Sequence, residues 1–312
     1  MVRSNRFRFM SGIKSMLCCI VSLLLTGMGL LAGDAAARQI TDGIGRQMMV
    51  PDNPVRVVAL APSITEIVFA LGQEQRLVGI ARFSDFPQEA QRLPQVGSYI
   101  QPDIEKIIAL NPDLCIAVKD GNPRAVAERL ESLRIPVYAV DPLDLEAIMT
   151  TILQIGDLLN AGDRAQNIAG DMKSRIERVR ELVKRTTHRP GVFFQIGFSP
   201  IVSVGKGTFI HELIEMAGGT NLCAGYASYP RLSREQVLAL SPDVLVITTM
   251  HRGMTIDQVK AEWAVYPQIP AVRDGRIAIV DSNIFDRPTP RQVDALEQLV
   301  RVIHPELFKD FK

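Results

Sequence analysis

Histidine has the widest chemical range of any side chain, and this chain has only four, His188, His211, His251 and His304, at no spacing that suits shared metal ligation. His211-Glu212-Leu-Ile-Glu215 opens like the helix of a zinc protease. The second histidine of that motif is replaced by Glu215, so the zinc ligands are not there, and His211 is expected to be a first-turn helix residue. Gly205-Lys206-Gly207-Thr208 resembles the end of a phosphate-binding loop. Such a loop needs a glycine five residues before Gly205 and a hydroxyl residue directly after the lysine, and Pro200 and Gly207 stand there instead. What remains is a helix N-terminus with free N–H groups. Neither Gly-x-Ser-x-Gly nor Gly-x-Gly-x-x-Gly occurs. Acid pairs such as Asp281/Asp286 exist, but no spacing places a proton donor opposite a base. These residue types point away from turnover, and no enzyme is expected.

The elements that would position a site are more informative, because the chain echoes itself. Asp103-Ile-Glu105 through Pro112-Asp113 to Val118 matches Ser233-Arg-Glu235 through Pro242-Asp243 to Thr248 at a constant offset of 130. Each copy reads as a short helix, a Pro-Asp turn and an apolar run of strand length, the αβ unit of a parallel sheet. Buried-strand runs ending in Asp141 and Asp281 follow the two copies. Upstream of each lies a strand, a proline-containing turn and a helix: Val55–Leu60, then a helix over about 65–71 closed by Gly72; and Gly191–Ile196, then a helix over about 209–217 closed by Gly218-Gly219. Two similar α/β lobes are therefore expected, at 54–140 and 191–312. Between them, residues 144–188 carry apolar residues at three- and four-residue spacing, with a break at Asn160-Ala-Gly162. That pattern predicts a helix, a break and then a long helix of about 24 residues, which at 1.5 Å per residue rises about 36 Å and can bridge the lobes.

Residues 1–37 have the three parts of a secretory signal: Arg3, Arg6, Arg8 and Lys14, the apolar run Met16–Leu31, and Ala35-Ala36-Ala37, with cleavage expected after Ala37. The run is short and glycine-interrupted for a spanning helix. Neither Cys18 nor Cys19 has the small residue that precedes a lipidated cysteine. Removing the segment takes Lys+Arg from 35 to 31 and Asp+Glu from 34 to 33, a net charge of −2. With 22% charged and 47% hydrophobic residues the chain is an ordinary globular protein, and its charge lacks the basic footprint of a nucleic-acid binder. Cys115 and Cys223, the two cysteines that remain, are expected to be buried free thiols.

In order along the chain, Arg56–Glu66 (Arg-Val-Val-Ala-Leu-Ala-Pro-Ser-Ile-Thr-Glu), Phe83-Ser-Asp85-Phe-Pro87, Ile107–Leu114, Gly205-Lys206-Gly-Thr-Phe-Ile, Ala217-Gly-Gly-Thr-Asn221, Ser233–Leu238 and Phe285-Asp286-Arg287 carry a resemblance. The chain resembles the class III periplasmic binding proteins of ABC importers for cobalamin and iron-siderophore or haem complexes, the cobalamin branch above all. The resemblance implies two Rossmann-like lobes joined by one long helix, a ligand cleft between them, and delivery to a permease dimer at the inner membrane. It also implies a periplasmic monomer with no cofactor of its own, the ligand being a metal chelate. Family members dock through one surface acid per lobe; the matching residues are Glu105 and Glu235, equivalent positions of the repeat.

For the ligand, the resemblance points to Phe83, Tyr99, Phe198 and Tyr229 as walls for an apolar macrocycle. It places Asn283, Phe285, Asp286 and Arg287 on the segment that meets a corrin ring and its amides. The pattern departs from the cobalamin branch in its aromatics. The one Trp, Trp263, lies elsewhere, and Val118, Ile196 and Ile284 stand where larger rings are expected. Arg82, Tyr99, Tyr226 and Arg287 would suit an anionic siderophore. The function expected is capture of a cobalamin-type corrinoid, with an iron-siderophore or haem as the alternative and an exported enzyme on the same bilobal scaffold as the rival of another class.

Overall fold

Apolar runs that are buried on both faces become the central strands of parallel sheets, and this chain builds two such sheets. The computed structural model describes residues 36–248 and 256–311; the leader reading at 1–37 and His251 therefore fall essentially outside the described residues.

The N-terminal lobe opens with a hairpin, β1 (Ala37–Thr41) and β2 (Gln47–Pro51), which the sequence reading did not anticipate. Arg46 pins it to the lobe by reaching Asp42, Glu131 and the carbonyl of Val137. Then follow β3 (Val57–Ala59), α1 (Pro62–Ala70), β4 (Leu77–Ile80), the two-residue pair β5 (Gly97–Ser98) and β6 (Gln101–Pro102), α2 (Ile104–Ala109), β7 (Leu114–Val118), α3 (Arg124–Ser132) and β8 (Val137–Val140). The sheet has the order β4-β3-β7-β8, all parallel. Helix α1 starts three residues earlier than its apolar spacing suggests because Pro62 sits at its first position, where a missing N–H costs nothing.

Helices α4 (Leu145–Leu158) and α5 (Gly162–Val183) come next. Asn160, at φ 57°, turns the chain between them. The 22 residues of α5 span about 33 Å. One buried cluster runs from Ile64 and Ile67 of α1 through Ile148, Ile152, Met172 and Ile176 to the C-terminal lobe, so the bridging helices share a core with both lobes.

The C-terminal lobe contains β9 (Gly191–Phe198), β10 (Ile201–Ser203), α6 (Phe209–Met216), β11 (Thr220–Asn221), β12 (Arg231–Leu232), α7 (Arg234–Leu240) and β13 (Val244–Thr248). It continues with α8 (Ile256–Ala264), α9 (Pro270–Arg273), β14 (Ile277–Val280), α10 (Ser282–Phe285) and α11 (Gln292–Ile303). Its sheet is mixed and runs β12-β10-β9-β13-β14, with β9, β13 and β14 parallel, β10 antiparallel to both β9 and β12, and β11 parallel beside the start of β9. On the bridging helix, Arg175 grips Asp294 at 2.5 Å and Glu297 at 2.8 Å, fixing α5 to α11.

The sequence repeat is a structural repeat down to single bonds. Asp103 and Ser233 each cap their helix by accepting from the N–H three residues on. Asn111 and Ser241 both take left-handed φ, 46° and 48°, at the helix exit. Asp113 then accepts from the N–H groups of Val55 and Arg56, and Asp243 from that of Gly191, each tying the turn to the start of the lobe's first strand. Cys115 and Cys223 are free and buried in different clusters.

Candidate functional site

In a parallel sheet the loops leave from the carboxyl ends of the strands, and a ligand site forms where those ends face open space. Here both sheets aim those ends at one cavity of about 710 Å³ between the lobes. The N-terminal lobe lends the turn after β3 (Ala61–Ser63), Phe83 and Asp85 after β4, Tyr99 of the β5–β6 turn, Val118 and Asp120 after β7, and Asp141–Leu143 after β8. The C-terminal lobe lends the start of α6 (Gly207–Phe209), Tyr229 before β12, and Ser282, Asn283, Asp286, Arg287 and Pro288 between β14 and α11.

Of the eight residues expected to touch ligand, six line this cavity: Phe83, Tyr99, Tyr229, Asn283, Asp286 and Arg287. Phe285 does not. It is 0% exposed and packs its ring 5.9 Å from that of Phe194, inside the core. The reason is helical geometry: α10 is a single turn, so Asn283 and Asp286, three apart, share the cavity side while Phe285 faces inward. Phe198, at the end of β9, packs against the smaller core cluster of its own lobe and is outside the cavity lining. Of the three positions expected to carry larger rings, Val118 lines the cavity, whereas Ile196 and Ile284 pack against the main core. Arg82 and Tyr226 are not among the lining residues, and Trp263 is buried under the C-terminal sheet, donating its indole N–H to Gln195 at 2.9 Å.

Phe83 has φ 72°, a left-handed conformation that a bulky residue adopts only under constraint. The constraint is visible. Its carbonyl accepts from Nη2 of Arg287 at 2.8 Å, and the same nitrogen holds Asp85 at 2.7 Å. Arg287 is thereby tied across the cleft to the opposite lobe, and its Nη1 is buried with no hydrogen-bond partner. Beside it, both carboxyl oxygens of Asp286 are buried and unpartnered. Burial pushes the Asp286 carboxyl from 3.8 up to about 7; Thr248, close but without a bond of good geometry, and Arg287 pull it down only in part, and Asp281 adds to the rise.

The two tyrosines face the same acids. Burial, then Asp120 and Asp286, raise Tyr99; burial and Asp120 push Tyr229 up to about 12, with its hydroxyl 3.5 Å from Asp120 Oδ2. Asp141 is neutralised by Lys119 at 2.6 Å. Asn122 sets the rim by donating to the carbonyls of Leu60 and Tyr99 and accepting from the N–H of Val118. Gln292 anchors the opposite wall through the carbonyls of Ile284 and Arg287. Sequence reading missed Asp85, Asp120 and Asp141 as wall residues. The available signal was their place just after strands β4, β7 and β8.

Glu105 and Glu235 are exposed, each the second residue of its helix, α2 and α7, and neither lines the cavity. A hydrogen bond from Ser233 holds the Glu235 carboxyl below its usual range.

This architecture, a parallel sheet and a mixed sheet with a parallel centre around one cleft with a helical bridge, has known counterparts. Residues 57–284 match the family described as periplasmic binding protein. The chain belongs to that family. It is similar to the vitamin B12-binding protein of Vibrio parahaemolyticus, with 33% identity over 251 residues, covering 80% of this chain and 90% of that one. Among solved structures it is similar to the periplasmic vitamin B12-binding protein BtuF of Vibrio cholerae, at 28% identity and a TM-score of 0.73, covering 82% of this chain and 98% of that one. A periplasmic haem-binding protein from Pseudomonas aeruginosa is similar at 30% identity and a TM-score of 0.74, covering 81% and 93%. The binding-protein family thus fits both the bilobal fold and the cleft.

Proposed function

We propose that this protein captures a cobalamin-type corrinoid in the interlobe cavity and delivers it to the permease of an ABC importer. The charge of the wall carries the choice of ligand. Among the described residues Asp85, Asp120, Asp141 and Asp286 line the cavity, with Arg287 as the one basic lining residue. Arg287 balances Asp85 and Lys119 balances Asp141, which leaves Asp120 and the partly protonated Asp286 to set an acidic balance. A haem or an anionic siderophore would bring carboxylates or other negative groups against that acidic surface, which costs free energy in a partly desolvated cleft. A corrinoid brings an apolar macrocycle fringed with uncharged carboxamides. Phe83, Tyr99 and Tyr229 offer apolar surface to the ring. Asp286 and Arg287 border the cavity with buried, unpaired polar atoms, and a small shift of the wall would let a carboxamide oxygen accept from Arg287 and its N–H groups donate to Asp286.

Binding without turnover is the reading that follows, since the acids of the cavity face tyrosines and a tied arginine rather than a nucleophile and its base. Glu105 and Glu235, equivalent in the repeat and exposed on the two lobes, supply matched charges for a two-fold permease. Export through the 1–37 leader would place the protein in the periplasm as a freely diffusing monomer. The test is a calorimetric and absorbance titration of residues 38–312 with cyanocobalamin, cobinamide, haem and a ferric hydroxamate. Saturable one-to-one binding of the corrinoids alone is expected. Silence from both corrinoids with a response to haem or the hydroxamate would overturn the ligand assignment.

A further inference from the structure

One charged pair crosses between the lobes below the cavity wall and belongs to none of the roles above. Glu66 of α1 and Arg291, the residue before α11, lie 225 positions apart, yet Arg291 Nε and Nη2 bond the two carboxylate oxygens of Glu66 at 2.6 and 2.7 Å. The carboxylate side chain is only 3% exposed and the guanidinium side chain 17%. Arg291 does two more things with the same planar group. Nη2 also donates to the carbonyl of Asn283 at 3.0 Å, and the guanidinium carbon lies 3.7 Å from the centroid of the Phe86 ring.

These contacts bind three separate segments to one rigid fork. Glu66 represents the first helix of the N-terminal lobe. Phe86 sits on the loop that carries Phe83 and Asp85, and Asn283 on the cavity segment that carries Asp286 and Arg287. Arg291 is not among the cavity-lining residues itself. Lysine could supply the charge but not the planar two-nitrogen geometry or the stacking. A buried ion pair is a weak source of net stability compared with apolar residues of the same size, so its value here is geometric.

We infer that Glu66 and Arg291 form a positioning pair that sets how the two walls of the cleft face each other, holding the Phe83–Asp85 loop at a fixed separation from the Asn283–Arg287 segment before ligand arrives. A cleft so held meets its ligand with both walls in register, so the bound state needs less rearrangement of either wall and holds its ligand longer. The affinity arm of the test rests on the corrinoid reading; the distance arm does not.

The experiment pairs the double variant Glu66→Leu/Arg291→Met, which removes both charges while retaining bulk, with Arg291→Lys, which retains the charge and loses the fork. Spin labels at Glu128→Cys and Asp274→Cys, exposed on opposite lobes, report lobe separation, the native Cys115 and Cys223 being buried. The wild-type protein is expected to show one narrow distance distribution, and both variants a broader or displaced one, while thermal unfolding stays cooperative. Cyanocobalamin should bind both variants at least tenfold more weakly, chiefly through faster dissociation. An unchanged distance distribution together with unchanged association and dissociation rates in the folded double variant would overturn the inference. If the wild-type protein ignored cyanocobalamin, the ligand reading would fall, and the distance distributions would still decide whether the pair positions the lobes.

Discussion

Asp286 is the residue whose removal should change the free protein most informatively. Its carboxyl is buried, unpartnered and raised from 3.8 to about 7, chiefly by desolvation. At 1.36 kcal/mol per pH unit that is about 4 kcal/mol of preference for the protonated form. The folded-state value lies above the unfolded one, so between about pH 4 and 7 the folded protein holds a proton that the unfolded chain has released. Stability contributed by this group is therefore full below about pH 4, declines as the pH rises, and is lost above about pH 7. Asp286→Asn keeps the shape and abolishes the titration. Urea unfolding of ligand-free protein between pH 4.5 and 8 should show the variant gaining on the wild type by about 3 kcal/mol across the range, from roughly 1 of the 4 at pH 4.5 to nearly all of it at pH 8. Ligand N–H groups favour the ionised carboxylate, so corrinoid binding should release a proton and strengthen as the pH rises through 7; the variant should bind at least tenfold more weakly and lose that pH dependence. A stability difference between the two proteins that stays constant at every pH would refute the burial argument, and equal affinity of the two proteins for cyanocobalamin would refute the ligand role.

Phe285→Ala should cost about 3–5 kcal/mol in urea unfolding, because it empties the space against Phe194, and its loss of affinity should vanish when stability is restored elsewhere. An affinity loss that persisted in a stabilised background would return Phe285 to the ligand. Phe83→Gly should relax the φ 72° backbone, leaving stability unchanged or slightly raised while weakening cyanocobalamin binding at least tenfold; equal affinity would remove Phe83 from the wall. Reversing charge at Glu105 and Glu235 together should abolish uptake by cells and leave ligand affinity intact, as measured by transport of labelled cobalamin beside a titration of the purified variant.

What could be read from residue order was what obeys local rules. The repeat at offset 130 was visible because a helix cap, a Pro-Asp turn and a buried strand each use few residue types at fixed spacing, and the bonds of Asp113 and Asp243 show why those aspartates recur. The bridging helices followed from apolar periodicity for the same reason. The wall of the cleft was legible only in part. Tyr99, Tyr229 and the 283–287 segment came from the family resemblance, and within that segment spacing alone could have separated Asp286 from Phe285 had the single turn of α10 been known. Nothing local pairs Glu66 with Arg291: the first closes the Arg56–Glu66 motif on a helix after a proline turn, the second is a basic residue before a helix. Their partnership exists because two sheets, each folded by its own short-range rules, leave their strand ends facing each other, and the space between them is where charges 225 residues apart must either pair or be expelled into water. A binding cleft between repeats is for that reason the part of such a fold where residue order predicts location well and partners poorly.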